Sequence, residues 1–211
     1  MQEFIAAHTT IAAAPLVPEI RLHLATEITP IWQASEAWLA RSGVEPPFWA
    51  FAWPGGQALS RHLLDRPESV RGKRVLDFAA GGGIASVAAA LAGATCVEAA
   101  EIDPMAIAAI TMNAALNGVT VTPLARDVVG EASDWDLILC GDVCYEAPMT
   151  RHILPWLRRL AGKTEIWVAD PGRAYLPSEG LEPIASFDVP TSLELEDREL
   201  RPTRLFRLAP G

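Results

Sequence analysis

Residues 75–83 read VLDFAAGGG: an apolar run beginning at Val75, an aspartate at its third position, and then Gly81, Gly82 and Gly83 in succession. Asp77 falls near the close of what reads as a strand, and the glycines open the helix that follows. Without Cβ atoms they let backbone N–H groups approach a ligand closely. That is the make-up of a nucleotide-type pocket, and a plain tight turn between strand and helix is the alternative. The strict dinucleotide spacing Gly-x-Gly-x-x-Gly is not met, because its first position falls on Ala79. A pyrophosphate-bearing nicotinamide dinucleotide is therefore disfavoured.

Outward from this turn, short apolar runs alternate with helical segments, the βαβ pattern of a parallel sheet covered on both faces. Strands are expected at 75–78, 95–100, 119–124, 137–140 and 165–169, and helices at 84–92 and 104–117. Asp103 suits the cap of the second helix, Pro104 its first turn and Gly118 its exit. After Pro183 the pattern changes: 186–189, 192–195 and 203–208 read as strands without long helices between them. The expected fold is α/β and Rossmann-like, a mostly parallel sheet finished by an antiparallel C-terminal hairpin.

Upstream, residues 1–45 show no sheet alternation, while Ile31, Trp32, Ala34, Trp38 and Leu39 recur at helical spacing before Gly43, Pro46 and Pro47. Residues 1–45 are expected to form a helical extension, and 46–211 the main domain. The segment PFWAFAWPGGQALSRHLLD at 47–65 brings aromatics ahead of Pro54, Gly55 and Gly56, and then a short amphipathic helix through Leu59, Leu63 and Leu64.

The chain has 211 residues and a formal net charge of −9, half its residues being apolar. Its length suits one sizeable core, and no apolar stretch reaches the roughly 18–20 residues of a membrane helix. The N-terminus has no basic leader, so no signal peptide is expected. Net acidity opposes nucleic acid and anionic membranes and suits a basic partner, or simply solubility. Cys96, Cys140 and Cys144 are odd in number and form no Cys-x-x-Cys pair, and the histidines show no metal-ligand spacing. No metal site is expected, and the thiols fit a reducing, cytoplasmic compartment.

Glu101 follows the second strand, where a carboxylate can accept from both hydroxyls of a ribose. Asp127, after the third strand, is placed to accept from an adenine amine or to serve as an ordinary turn residue. At the end of the fourth strand, Cys140-Gly141-Asp142-Val143-Cys144-Tyr145-Glu146 brings three polar side chains outside the carboxyl edge of the sheet.

At this point the chain resembles the seven-strand methyltransferases, and within them the electron transfer flavoprotein beta-subunit lysine methyltransferase family. The matching pieces are WAFAWPGGQAL, VLDFAAGGG, AEIDPMA, TMNAALNG, LILCGDVCYE and VADPGRAYLP, covering residues 46–177. The resemblance implies a seven-stranded sheet, S-adenosylmethionine as cofactor, and transfer of its methyl group to lysine on a protein, the electron transfer flavoprotein beta subunit being the suspected partner. A small-molecule N-methyltransferase acting on a nicotinamide-like compound is the alternative. Asp142, Tyr145 and Glu146 are implied to border the methyl group and the entering lysine. Trp53, Asp77, Ala79, Gly81, Gly83, Glu101, Ile102, Asp127 and Asp142 are the implied cofactor residues. For Trp53, Trp49 and Phe48, packing between extension and core is an equal reading. One departure is Ala79, where the broad class carries glycine; alanine is accommodated if its φ stays negative.

Overall fold

The computed structural model describes residues 1–25 and 47–211, so the helical pattern around Ile31–Leu39 lies outside the described residues. In chain order the elements are α1 (Gln2–His8), β1 (Thr10–Ala14), β2 (Val17–Leu24), α2 (Pro54–Asp65), β3 (Arg74–Phe78), α3 (Ile84–Leu91), β4 (Cys96–Glu101) and α4 (Pro104–Leu116). There follow β5 (Thr122–Ala125), β6 (Leu137–Gly141), α5 (Ala147–Leu160), β7 (Glu165–Asp170), β8 (Leu181–Pro190), α6 (Leu193–Glu196) and β9 (Leu200–Leu208).

Seven strands form one sheet in the order β5-β4-β3-β6-β7-β9-β8. β3 to β7 run parallel, while β9 is antiparallel to both β7 and β8, as the sequence led us to expect. The chain winds outward from β3 to β5, then returns to lay β6 on the other side of β3. The carboxyl ends of β3 and β6 therefore flank the topological switch point, where open α/β sheets hold ligands.

Alternation along the strands feeds two cores. Val75, Leu137, Leu139, Trp167 and Ala169 join α2 and α3 on one face. Leu76, Ile138, Cys140, Ile166 and Val168 join Ile153, Trp156 and Leu157 of α5 on the other. At about 25 cal/mol per Å² of apolar surface removed from water, these faces supply the main drive for folding. Glycine lets α2 sit tight on the sheet: a Cβ on Gly141 would lie 2.9 Å from the Gly56 nitrogen.

Two expectations fail here. Residues 10–24 form an antiparallel hairpin, β1 with β2, instead of helix. β2 does alternate, Ile20, Leu22 and Leu24 against Arg21 and His23, and it buries Ile20 and Leu22 in the core; α4 and its cap hold the other edge, Asn117 accepting from Arg21 N–H at 3.0 Å and Asn113 from His23 N–H at 2.8 Å. The turn between the strands is tied down by Gln57, which accepts from Leu16 N–H at 3.0 Å. The second failure is 192–195, expected as strand. Ser192 instead caps the short α6, its hydroxyl accepting from Leu195 N–H at 3.3 Å, and Asp197 closes the turn at φ 55°. Local serine capping there overrides the apolar alternation of Leu193 and Leu195.

Candidate active site

The turn at 79–83 is built from left-handed residues: Ala79 at φ 53°, Gly81 at 54° and Gly83 at 77°. The negative φ expected of Ala79 is thus not observed. Its backbone takes the conformation that glycine ordinarily provides, at a cost of roughly 1–2 kcal/mol for a residue with a Cβ. Gly82 is required for another reason, since a Cβ there would stand 2.6 Å from the Trp49 carbonyl oxygen. The aromatic segment 47–53 therefore lies directly on the turn. Asn113 locks the arrangement by donating to Gly82 C=O at 2.8 Å while it holds β2.

Asp77 and Gly83 were both expected in contact with a cofactor, and neither lines the cavity. Asp77 lies beneath the turn, 3% exposed, accepting from Ser86 N–H at 2.8 Å and Ser86 O–H at 2.6 Å. Burial pushes its carboxyl up to about 7, with the two Ser86 hydrogen bonds pulling back and nearby Glu101 adding to the rise. Gly83 is buried at the N-cap of α3, packed toward Ile110. Both residues shape the turn from behind.

The other predicted residues converge on one cavity of about 610 Å³, within the range of small-molecule sites. Ala79, Gly81, Glu101, Ile102, Asp127, Trp53, Asp142, Tyr145 and Glu146 all line it. Glu101 projects from the end of β4, its carboxylate accepting from Gly81 N–H at 3.0 Å and Ile102 N–H at 2.8 Å. Desolvation raises its carboxyl above the usual range, and these backbone bonds moderate the rise. Asp103 caps α4 through Met105 N–H at 2.8 Å, as expected. Asp127 accepts from Val129 N–H at 2.9 Å and pairs with His152 Nε2 at 2.8 Å, so it is both a turn residue and a cavity residue.

Asp142 follows β6 at φ 56°, its side chain nearly closed to solvent. Its N–H is fixed to Ala169 C=O at 3.0 Å, and one carboxylate oxygen accepts from Gly55 N–H in the first turn of α2. Burial raises the carboxyl to about 6, opposed by Arg173 and by the Gly55 bond. Trp53 donates its indole N–H to Phe48 C=O at 2.8 Å and meets Phe48 and Phe51 edge-on, so its packing role and its place in the cavity wall are both real. Tyr145 leans against Phe48 with ring centroids 5.6 Å apart, and Glu146 sits exposed at the N-cap of α5.

Arg173, His152 and Asn113 received no role from the sequence. Arg173 lines the cavity, bonds Asp142 and holds its guanidinium 5.8 Å from the Trp53 ring centroid. Its signal was present in the VADPGRAYLP motif, but only its fold partners give it meaning.

Comparison with known proteins bears on the family. Residues 58–142 match the family model described as Ribosomal protein L11 methyltransferase (PrmA). The electron transfer flavoprotein beta subunit lysine methyltransferase of Xenopus laevis is 40% identical over 220 residues, covering 99% of this chain and 87% of that protein. The Homo sapiens protein of the same name is 36% identical over 188 residues, covering 86% of this chain and 70% of its own. Among solved structures, the T. Thermophilus 16S rRNA N2 G1207 methyltransferase, in complex with AdoMet and guanosine, superposes with a TM-score of 0.57 at 17% identity, covering 96% of this chain and 50% of that one. That likeness concerns the fold, whereas the identities over nearly the whole chain establish kinship: the chain belongs to the electron transfer flavoprotein beta subunit lysine methyltransferase family.

Proposed function

We propose that this chain, an S-adenosylmethionine-dependent methyltransferase by family, methylates lysine side chains of the electron transfer flavoprotein beta subunit. The observation that carries the reading is the joining, in one cavity, of the Glu101 carboxylate at the end of β4 with the Asp142 carboxylate beyond β6. The residues present fit the cofactor. Glu101 offers a carboxylate to a ribose diol, Ile102 and Val128 offer apolar surface and Asp127 an acceptor for an adenine, and Trp53 with Asp142 forms the wall where charge is handled.

When bound, S-adenosylmethionine supplies an electrophilic methyl group on a positive sulfonium. The protein's part is then positioning and exclusion of water, which can supply several kcal/mol of the barrier. Asp142 and Glu146 orient the nitrogen of the acceptor. Tyr145, Phe48 and Trp53 strip water from its approach. A lysine ammonium has no free lone pair, so it first releases a proton to water, which at pH 7 costs about 4–5 kcal/mol from a pKa of about 10.4. The apolar aromatic wall reduces that cost by disfavouring the charged form.

The net charge of −9 supports a basic protein surface as partner over nucleic acid or membrane. The free thiols of Cys96, Cys140 and Cys144 support a cytoplasmic setting. The test is methyl transfer from labelled S-adenosylmethionine to purified electron transfer flavoprotein beta subunit, with nicotinamide-like amines in parallel. Label on the protein supports the reading, and label only on the small amines replaces it with small-molecule N-methylation.

A further inference from the structure

Asp142 does not face the cavity as a bare anion. Its Oδ1 accepts from Arg173 Nη2 at 2.8 Å and from Nε at 3.2 Å. From the other side Arg173 is gripped by Glu196, which accepts from Nη2 at 2.5 Å and Nη1 at 3.1 Å. Glu196 belongs to α6, in the connection between β8 and β9, and its side chain is 2% exposed. The neighbouring Leu195 packs into the aromatic cluster that contains Trp53. The α6 turn is thereby anchored to the site at two successive residues.

Among the described residues, charges surround Arg173 from the ends of β6 and β7 and from α6 and β9. Asp170, ending β7, holds the loop by accepting from Gly172 N–H and Arg173 N–H at 2.7 and 2.6 Å. Arg201 of β9 approaches Glu196 at 3.3 Å. Cys144, whose thiol burial pushes up to about 12, adds no charge near Asp142. Asp142, Asp170 and Glu196 thus face Arg173 and Arg201, and of these five only Asp142 and Arg173 line the cavity.

A lone buried carboxylate beside the acceptor would hold lysine as ammonium, the form that cannot react. The guanidinium, with two N–H groups on Oδ1, cancels much of that field, and Oδ2, which accepts from Gly55 N–H, keeps one lone pair to orient an amine. Arginine suits the task because it stays protonated at any working pH. We propose that Arg173 is the charge-balancing residue of the site, neutralising Asp142 so that the acceptor lysine is held as free amine, and that Glu196 is the residue that positions Arg173. This inference rests on the lysine reading above.

The experiment is the pH dependence of kcat for methylation of electron transfer flavoprotein beta subunit, from about pH 6 to 10, by the wild-type chain and by R173Q, E196Q and E196D. S-adenosylmethionine affinity is measured on each by calorimetry. In R173Q the rising limb should move up by about one pH unit, giving about tenfold loss at neutral pH that is recovered in alkali, with cofactor affinity kept. E196Q frees Arg173 from a competing carboxylate, so its limb should move down by less than about one pH unit, and E196D should restore it. If R173Q does not fold, the downward shift in E196Q and its reversal in E196D carry the readout. A loss that is uniform across pH, with the limb unmoved, overturns the inference and leaves the ion pairs a structural role only. A wild-type chain that methylates no lysine overturns the lysine reading, and the inference with it, and is distinguished by the absence of any wild-type limb.

Discussion

Gly55 donates its backbone N–H to Asp142 Oδ2 at 2.5 Å, and a Cβ placed on Gly55 would stand 2.5 Å from that same oxygen and 2.5 Å from the Ala169 carbonyl oxygen. The first turn of α2 thus meets the ends of β6 and β7 with no room for a methyl group. Gly55→Ala has to move either the helix or the carboxylate, and overpacking of this kind costs about 1–3 kcal/mol. Methyl transfer should fall at least about tenfold, because small misplacement of a positioning group is expensive. Gly162→Ala, where a Cβ meets nothing within 4 Å, is the control and should leave activity and melting unchanged. Equal activity in the two variants would contradict this role for Gly55.

Ala79 at φ 53° predicts a gain from Ala79→Gly. Relief of about 1–2 kcal/mol of left-handed strain outweighs the extra unfolded-state freedom of glycine, about 0.4–1 kcal/mol. Net stabilisation of about 1 kcal/mol should raise Tm by about 2–4 °C, read by calorimetry. A lower Tm would show that the methyl group contributes packing that exceeds the strain.

The carboxyl of Asp77, raised by burial from 3.8 to about 7, gives stability a defined pH dependence. Unfolded, it loses its proton near pH 3.9; folded, it keeps the proton up to about 7. Across that window the native state binds the extra proton, so unfolding free energy falls as pH rises and levels off above about 7. Asp142, raised to about 6, acts in the same direction over a narrower window. Asp77→Asn removes one contribution. In urea melts its stability relative to wild type should improve steadily between about pH 4 and 7 and then hold constant. Parallel curves would show that Asp77 is ionised throughout.

The middle of the chain was legible because local pattern and fold agree there. β3, β6 and β7 alternate between two apolar cores, Asp103 caps α4, and the glycines of 81–83 stand where the sheet meets its ligand edge. Asp77 is absent from the cavity lining, and a strand-end aspartate beside a glycine turn reads the same whether it faces a ligand or, as here, bonds Ser86. The hairpin at 10–24 left only a short signal, the alternation of Ile20, Leu22 and Leu24 with Arg21 and His23, and the asparagines that complete its hydrogen bonding, Asn113 and Asn117, lie some ninety residues away. Arg173 and Glu196 were hidden for the same reason: they meet Asp142 only once β7 and the α6 turn are brought together. Ala79 marks the limit of inference from residue type, since its turn imposes a φ that an alanine would not choose alone.

Glu101→Gln tests the cofactor end of the cavity. A neutral amide in place of the carboxylate weakens acceptance from two hydroxyls and disturbs the bonds to Gly81 and Ile102. Hydrogen bonds to a charged group contribute about 1.5–3 kcal/mol each, so S-adenosylmethionine affinity should fall by at least about tenfold in calorimetry. Unchanged affinity would remove Glu101 from the binding site.

The most direct test of the account is peptide mass mapping of electron transfer flavoprotein beta subunit after incubation with S-adenosylmethionine and either the wild-type chain or Asp142→Ala, with cofactor binding by both measured alongside. Methyl groups on lysine with the wild-type chain, and none with an Asp142→Ala variant that still binds the cofactor, are the predicted result. Lysine methylation by Asp142→Ala at near the wild-type rate, or methyl groups placed by the wild-type chain on a residue other than lysine, would contradict it.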